Sequence, residues 1–177
     1  MDNLNIYIHA PLIEECRKGD RKAQFRLYEQ YSRAMFNLAH RILNNREDAE
    51  DILQEAFVEC FRNLDTFRFE STFGAWLKRI MVNKCINQIK KKKIDLTLYE
   101  TLPAVVDVEE EEVKYDMTKI FEGIELLPDG YRIILTLYLL EGYDHGEISQ
   151  ILGISESTSK SQYSRAKEKL RTILSKK

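Results

Sequence analysis

The fold class expected from the sequence is all-α: two small helical domains joined by an acidic linker, the second a helix-turn-helix domain. Three observations predict it. Only seven glycines and three prolines interrupt 177 residues, so long stretches lack the residues that break helices. Apolar residues recur at three-four spacing along most of the chain, which is the period of a one-sided helix. Acid is concentrated in one stretch, where Asp107, Glu109, Glu110, Glu111 and Glu112 have few large apolar neighbours. Like charges that dense repel one another and favour extended chain, or at most a short helix with a solvated face. The boundaries this gives are a first domain at residues 1–94, a flexible acidic linker at 95–118 and a second domain at 119–177.

In the first domain, Leu27, Tyr28, Tyr31, Met35, Leu38, Ala39 and Ile42 make one helical stripe. Ala49, Ile52, Leu53, Ala56, Phe57, Cys60 and Phe61 make the next. Asp48, Asp51, Gln54, Glu55 and Glu59 fall off that second stripe, so this helix has one oily and one acidic face. Such a face is usually only solvated, but its continuity suits a basic partner surface. A short loop, residues 66–72, then leads to a helix of different character. It mixes Phe73, Trp76, Leu77 and Ile80 with Lys78, Arg79, Asn83 and Lys84, and ends in Lys90, Lys91, Lys92 and Lys93. Basic groups interleaved with aromatic ones suit a nucleic-acid backbone and unstacked bases. A core of Phe73 and Trp76 with a solvated basic helix end, favoured by the macrodipole, fits the same residues.

The second domain opens with residues 119–127 and 128–141 as helices. Pro128 suits a first turn, where no amide hydrogen bond is lost, and Tyr131, Ile134, Leu135 and Tyr138 form the core stripe. Asp144 is placed to cap the next helix, and Glu147 stands three residues on, at capping-box spacing. Ile148, Ile151 and Leu152 follow as its stripe, and Gly153 ends it because glycine accepts a left-handed turn. Ser155 caps the last helix. Tyr163, Ala166, Leu170, Ile173 and Leu174 give that helix a buried side, and Lys160, Ser161, Gln162, Ser164, Arg165 and Lys167 line the other. Over residues 157–177 there are seven Lys or Arg against the single acid Glu168. A short helix, a tight turn and a basic second helix is the build of a major-groove reader. A solvated helical pair with a basic tail is the bland alternative.

Net charge is −2, but it is unevenly spread: residues 1–95 carry +3, residues 96–122 carry −6 and residues 123–177 carry +1. Local patches, not the total, govern nucleic-acid binding. No apolar run approaches the roughly 18–20 residues of a membrane span, and the first residues lack a basic leader with a cleavage-type site. No membrane insertion and a cytoplasmic location are therefore expected. Cys16, Cys60 and Cys85 are far apart, without a C-x-x-C pair, and His9, His40 and His145 lie far from them in sequence. Zinc spacing is absent, and Cys60 sits on an apolar stripe as a buried thiol. No cluster with catalytic spacing appears, so neither a metal, a cofactor nor an enzymatic activity is expected.

Three motifs occur in order: DAEDILQEAF, then TFRFESTFGAWLKRIMVNKCINQIKKKK, then LPDGYRIILTLYLLEGYDHGEISQILGISESTSKSQYSRAKEKL. In this order and spacing, over nearly the whole chain, they resemble a bacterial RNA polymerase sigma factor of the extracytoplasmic-function (ECF) group. The resemblance implies a protein that binds RNA polymerase core and directs promoter recognition, DNA melting and transcription initiation. Its first domain would meet the clamp helices of the largest polymerase subunit through Asp48, Asp51, Gln54 and Glu55. The loop at residues 67–72, with Phe67, Arg68 and Phe69, would capture a flipped non-template base of the −10 element, and Arg79, Asn83 and Lys84 would line the adjoining single-strand path. The second domain would meet the polymerase flap and the −35 element. There Lys160, Ser161, Ser164 and Arg165 would face the major groove, with Gln162 and Lys167 near phosphates. Relatives are often held by an anti-sigma factor, which makes one an expected partner. Three positions depart from the family's common pattern. Ser159 stands where a branched apolar residue is usual and is expected to weaken packing under the recognition helix, Gln162 stands where many have Arg, and Phe69 replaces a frequent Gly. The rival reading is a helix-turn-helix transcriptional regulator that is not a polymerase subunit, although the first half lacks the strand-helix alternation of a receiver domain.

Overall fold

The computed structural model describes residues 7–92 and 116–175. These hold eight α-helices and no strand among the described residues. The chain divides into two units, Met1–Ile89 and Lys90–Lys177. The acidic cluster at residues 107–112 lies outside the described residues.

The first unit starts with α1, Ala10–Arg17, a short helix that the apolar pattern did not announce. Pro11 sits in its first turn, where a missing N–H costs nothing. Asp20 caps α2, Arg21–Leu43, by accepting from the amides of Lys22 and Ala23 at 2.8 and 3.3 Å. Asn44 closes α2 in the left-handed conformation, at φ 50, a region that asparagine tolerates better than most residues. The next residue, Asn45, caps α3, Arg46–Arg62, through the amide of Asp48 at 2.9 Å. Two helices thus end and begin at adjacent asparagines, and α2 folds back to pack on α3. A 3₁₀ turn at Leu64–Thr66 leads to the loop and then to α4, Phe73–Lys91. Thr72 Oγ1 accepts from the Ala75 amide at 3.2 Å and caps that helix.

Leu27, Leu38, Ile42, Phe57, Leu77, Met81 and Ile89 form the buried centre of this unit. Each such side chain contributes about 1.5–3 kcal/mol by leaving water. Cys16, Cys60 and Cys85 are all buried. Burial is the first cause in each case and pushes their thiols up to about 11, 12 and 12, so they act as small apolar side chains with no reactive thiolate.

In the second unit, Asp116 caps α5, Met117–Glu125, through the Thr118 amide at 3.0 Å. Helix α6, Asp129–Leu135, begins after Pro128. Pro128 is itself the cap residue, one position earlier than the first-turn placement expected. The helix also does not run on to Glu141 in one regular piece. Its last turn, Thr136–Leu140, widens into a π-turn in which the Glu141 amide donates to Thr136 O at 3.0 Å, five residues back. The extra residue rotates Tyr138 off the core stripe. Tyr131, Ile134 and Leu135 are buried as expected, but Tyr138 is 36% exposed. Helices α7, His145–Leu152, and α8, Glu156–Ser175, complete the unit. Ile124, Leu127, Tyr131, Leu135, Ala166 and Leu170 pack together as its core. Gly123 lets α5 approach α8 closely: a Cβ there would lie 2.7 Å from Leu170 Cδ1. Among the described residues no helix is long and apolar enough to cross a membrane.

Candidate functional site

The acidic face of α3 faces solvent at Asp51, Gln54 and Glu55. Asp48 is half-buried, and its Oδ1 accepts from Gln88 Nε2 at 3.4 Å. Lys84 corrects the expectation. It does not share the outward face of Arg79 and Asn83 but turns to α3, with Nζ 2.9 Å from Glu59 and 3.6 Å from Glu55. The reason is helical geometry. Lys84 is one residue, roughly 100°, away from Asn83, and one turn before Gln88, so both Lys84 and Gln88 address α3. The hydrogen bond that Lys84 donates to Glu59 raises the Lys84 pKa against the opposing effect of burial. Arg79 and Asn83, four residues apart on α4, are both exposed and share one face.

The loop before α4 also departs from expectation at Phe67, which is only 3% exposed. Its ring lies 4.8 Å from Phe69, 5.3 Å from Trp76 and 5.9 Å from Phe73, centroid to centroid. Phe67 therefore supports the loop from beneath and cannot present its ring to DNA in this arrangement. Arg68 and Glu70 are exposed. Phe69 is half-buried and adopts φ 58, the left-handed region that explains why glycine suits this position. Phe73 belongs to the core and Trp76 is half-buried, so the aromatic residues of α4 mainly pack, while its polar residues carry the outward surface.

The helix-turn-helix forms as its residues require. Asp144 Oδ1 accepts from the Glu147 amide at 2.8 Å, and Glu147 Oε2 accepts from the Asp144 amide at 3.0 Å, completing the capping box. Gly153 turns at φ 72 and its amide returns to Ser149 O at 2.9 Å. Ser155 Oγ accepts from the Thr158 amide at 3.0 Å. On α8, Lys160 is exposed and pairs with Glu156 at 2.6 Å. Ser161, Ser164, Arg165 and Lys167 are half-buried, and Lys167 Nζ lies 5.2 Å from the centre of the Tyr163 ring.

Gln162 is a second correction, since it is 2% exposed and not at a phosphate-facing position. Its spacing from Ser159, Ala166 and Leu170 is three, four and eight residues, which puts it on the inward stripe. Ser159 is fully buried, but a loss of apolar packing is only half of its story. Its Oγ shares a hydrogen bond of 2.9 Å with His145 Nδ1 and so pins α8 to the first turn of α7. His145 is stacked on Tyr138 at 4.4 Å and 17°, and Tyr163 closes the group edge-on at 5.6 Å. Nothing in the sequence pattern paired residues 145 and 159.

Residues 27–94 match the family model Sigma-70 region 2, and residues 118–170 match Sigma-70, region 4. The chain is 34% identical over 176 residues to the ECF RNA polymerase sigma factor SigW of Bacillus subtilis (strain 168), covering 92% of this chain and 94% of that one. It is 32% identical over 171 residues to the ECF RNA polymerase sigma-E factor of Escherichia coli (strain K12), covering 89% of each. Two solved structures have a similar fold at 21% identity. The sigma factor RpoE of Bartonella quintana, in complex with the anti-sigma factor NepR, aligns with TM-score 0.57 over 85% of this chain and 95% of that one. CnrH, in complex with the cytosolic domain of CnrY, aligns with TM-score 0.54 over 93% and 96%. Two helical units, each matching a sigma-70 region in the order the motifs require, and relatives alike over nearly their full length place this chain in the family of ECF RNA polymerase sigma factors.

Proposed function

We propose that this sigma factor distributes initiation over three separate surfaces. The exposed Asp51, Gln54 and Glu55 side of α3 docks on a basic surface of core polymerase. The loop before α4, with Arg79 and Asn83, holds the unpaired −10 strand. The basic side of α8, with Lys160, Ser161, Ser164, Arg165 and Lys167, reads the −35 duplex, and the same unit meets the polymerase flap. The observation that carries this reading is the outward position of Arg79 and Asn83 on one face of α4, while Lys84 turns to α3. The single-strand surface is thereby kept apart from the surface offered to polymerase, so both can be used at once.

The protein's work is then binding, with no covalent step. Extruding a base costs a few kcal/mol, offset by stacking of about 1–3 kcal/mol per base and by hydrogen bonds to the base edge. Asn83 can donate and accept, which suits such an edge. On α8, a well-placed bidentate contact gives about 1–3 kcal/mol of discrimination between base pairs. Residues 95–118 serve as the tether between the two DNA-binding units, at a length that lets both engage. Runoff transcription with core polymerase on a library of genomic fragments tests the whole reading: defined start sites that appear only with this protein support it, and unchanged transcription counts against it.

A protein inhibitor is the second element of the proposal. The similar RpoE and CnrH chains were each solved with a protein partner, NepR and the cytosolic domain of CnrY. An anti-sigma factor for this chain would act in the cytoplasm by covering the polymerase-binding face of α3. Co-purification of the tagged chain from its own cells, without core polymerase, would reveal it.

A further inference from the structure

Arg17, the last residue of α1, reaches nearly fifty residues along the chain to the loop that precedes α4. Its Nε and Nη2 both donate to Leu64 O, at 3.2 and 3.1 Å. Nη2 also donates to Phe67 O. Nη1 donates to Glu14 Oε1 at 2.5 Å, which fixes the remaining side of the fork. The face of the guanidinium lies 5.5 Å from the centre of the Phe69 ring. One side chain thus holds a main-chain carbonyl of the 3₁₀ turn, a main-chain carbonyl of the loop and one of the loop's rings.

Phe69 gives that hold its meaning. At φ 58 a bulky side chain is strained, and such a residue persists only where its surroundings over-determine it. Three groups do so. The ring stacks on Tyr7 at 5.5 Å and 23°, leans on Phe67 at 4.8 Å, and lies under Arg17. With Phe69 folded inward, its neighbours Arg68 and Glu70 are turned outward and exposed. Without the clasp, the backbone at residue 69 would relax toward negative φ, and the side chains shown by the loop would change.

We infer that Arg17 and Tyr7, from the N-terminal segment, are positioning residues that lock this loop in a strained shape and thereby set its selectivity for the captured −10 base without touching DNA. The inference rests on the reading of the loop as the base-holding element. It assigns a role in promoter opening to a segment placed well outside the α3, α4 and α8 surfaces.

The test uses full-length protein, core polymerase and a promoter library randomised through the −10 region. Arg17→Met keeps most of the stem and removes the fork. Tyr7→Leu is the gentler variant, because Tyr7 is 56% exposed and its loss spares the core. Arg17→Met is expected to lower open-complex formation about tenfold, the scale of losing a charge-assisted hydrogen bond, Tyr7→Leu about threefold, the scale of losing an aromatic contact, and both to change the preferred −10 base. Core affinity should stay the same. Phe69→Gly in the Arg17→Met background should restore opening, since glycine adopts φ 58 without a clasp. A merely structural role would lower thermal stability and leave base preference unmoved. If Arg17→Met does not fold, Tyr7→Leu decides: an unchanged base preference overturns the inference. Arg68→Ala and Glu70→Ala separate the two levels. If they alter preference while Arg17→Met and Tyr7→Leu do not, the clasp is wrong and the loop reading stands. If none of the four alters it, the loop reading fails, and the clasp with it.

Discussion

His145 Nδ1 and Ser159 Oγ share a hydrogen bond of 2.9 Å that joins the first residue of α7 to the first turn of α8. It joins the two helices of the helix-turn-helix by a polar contact, at a position where apolar packing was the expectation. The fully buried Ser159 cannot turn to water if its partner is lost. Ser159→Ala should therefore cost about 1 kcal/mol in urea denaturation, the usual worth of such a bond, with little change in far-UV dichroism.

The same histidine makes the motif sensitive to acid. Burial, and then the charge of Lys160, lower the His145 pKa, against smaller opposing effects of Glu156 and Asp144. A histidine whose pKa is depressed by folding takes up its proton first in the unfolded chain. Its contribution to stability is complete above the ordinary value near 6.5 and is lost as pH falls through the lowered folded value. Thermal unfolding of the wild type should fall off below about pH 6.5 more steeply than that of His145→Asn, whose amide reaches the same hydroxyl without titrating. Parallel pH curves for the two proteins would contradict this.

At Gly123 the close approach of α5 to α8 decides the sign of a substitution. Alanine favours a helix by about 1 kcal/mol over glycine, but its Cβ would lie 2.7 Å from Leu170 Cδ1 and 3.2 Å from Leu174 Cδ2. Overpacking costs about 1–3 kcal/mol, so Gly123→Ala should lower the midpoint of chemical denaturation. A raised midpoint would show that both leucines move aside freely.

What the sequence revealed, and what it hid, follows from the range of each interaction. Local devices were legible: the Asp144 and Glu147 capping box, the Gly153 turn and the Ser155 cap are set by residues three or four apart. The stripes of α2 and α3 were legible because burial repeats with the helix period. Tyr138 was misplaced because the π-turn adds a residue that no propensity announces. Gln162 was read by its polarity when its spacing from Ser159 and Ala166 marks it as inward. Phe67 lies in a loop, where no period separates support from display. The partners that Lys84 and Arg17 find on other segments lie 25 or more residues away. Helix α1 leaves little periodic trace, since eight residues give two turns at most.

The two polar residues of α8 should part company in experiment. Gln162→Lys would place a charge at a position 2% exposed, so it should destabilise the second unit by about 1–3 kcal/mol and bring no gain in DNA affinity. Arg165→Ala should reduce −35 discrimination by about 1–3 kcal/mol and lower the salt slope of binding by about one counterion. Fluorescence anisotropy across a salt series measures both. A Gln162→Lys protein of full stability that bound DNA more tightly would place residue 162 at the interface.

The proposed docking face for polymerase is best probed at residues that do not anchor α4. Glu55 is paired with Lys84, so its replacement would disturb α4 as well. Asp51 and Gln54 are exposed on the same face, and Asp51→Lys with Gln54→Lys should weaken core binding at least tenfold, as like charges meet, with native helix content. Undiminished affinity would move the docking face elsewhere.

Permanganate footprinting of Asn83→Ala holoenzyme decides whether single-strand capture on α4 is separate from docking on α3 and duplex reading on α8. Thymine reactivity around −10 should weaken and recover on a template already melted there, with affinity for core and for −35 duplex unchanged. The contrary result is a fall in closed-complex affinity with melting per bound complex unchanged, which would leave Asn83 an ordinary surface residue.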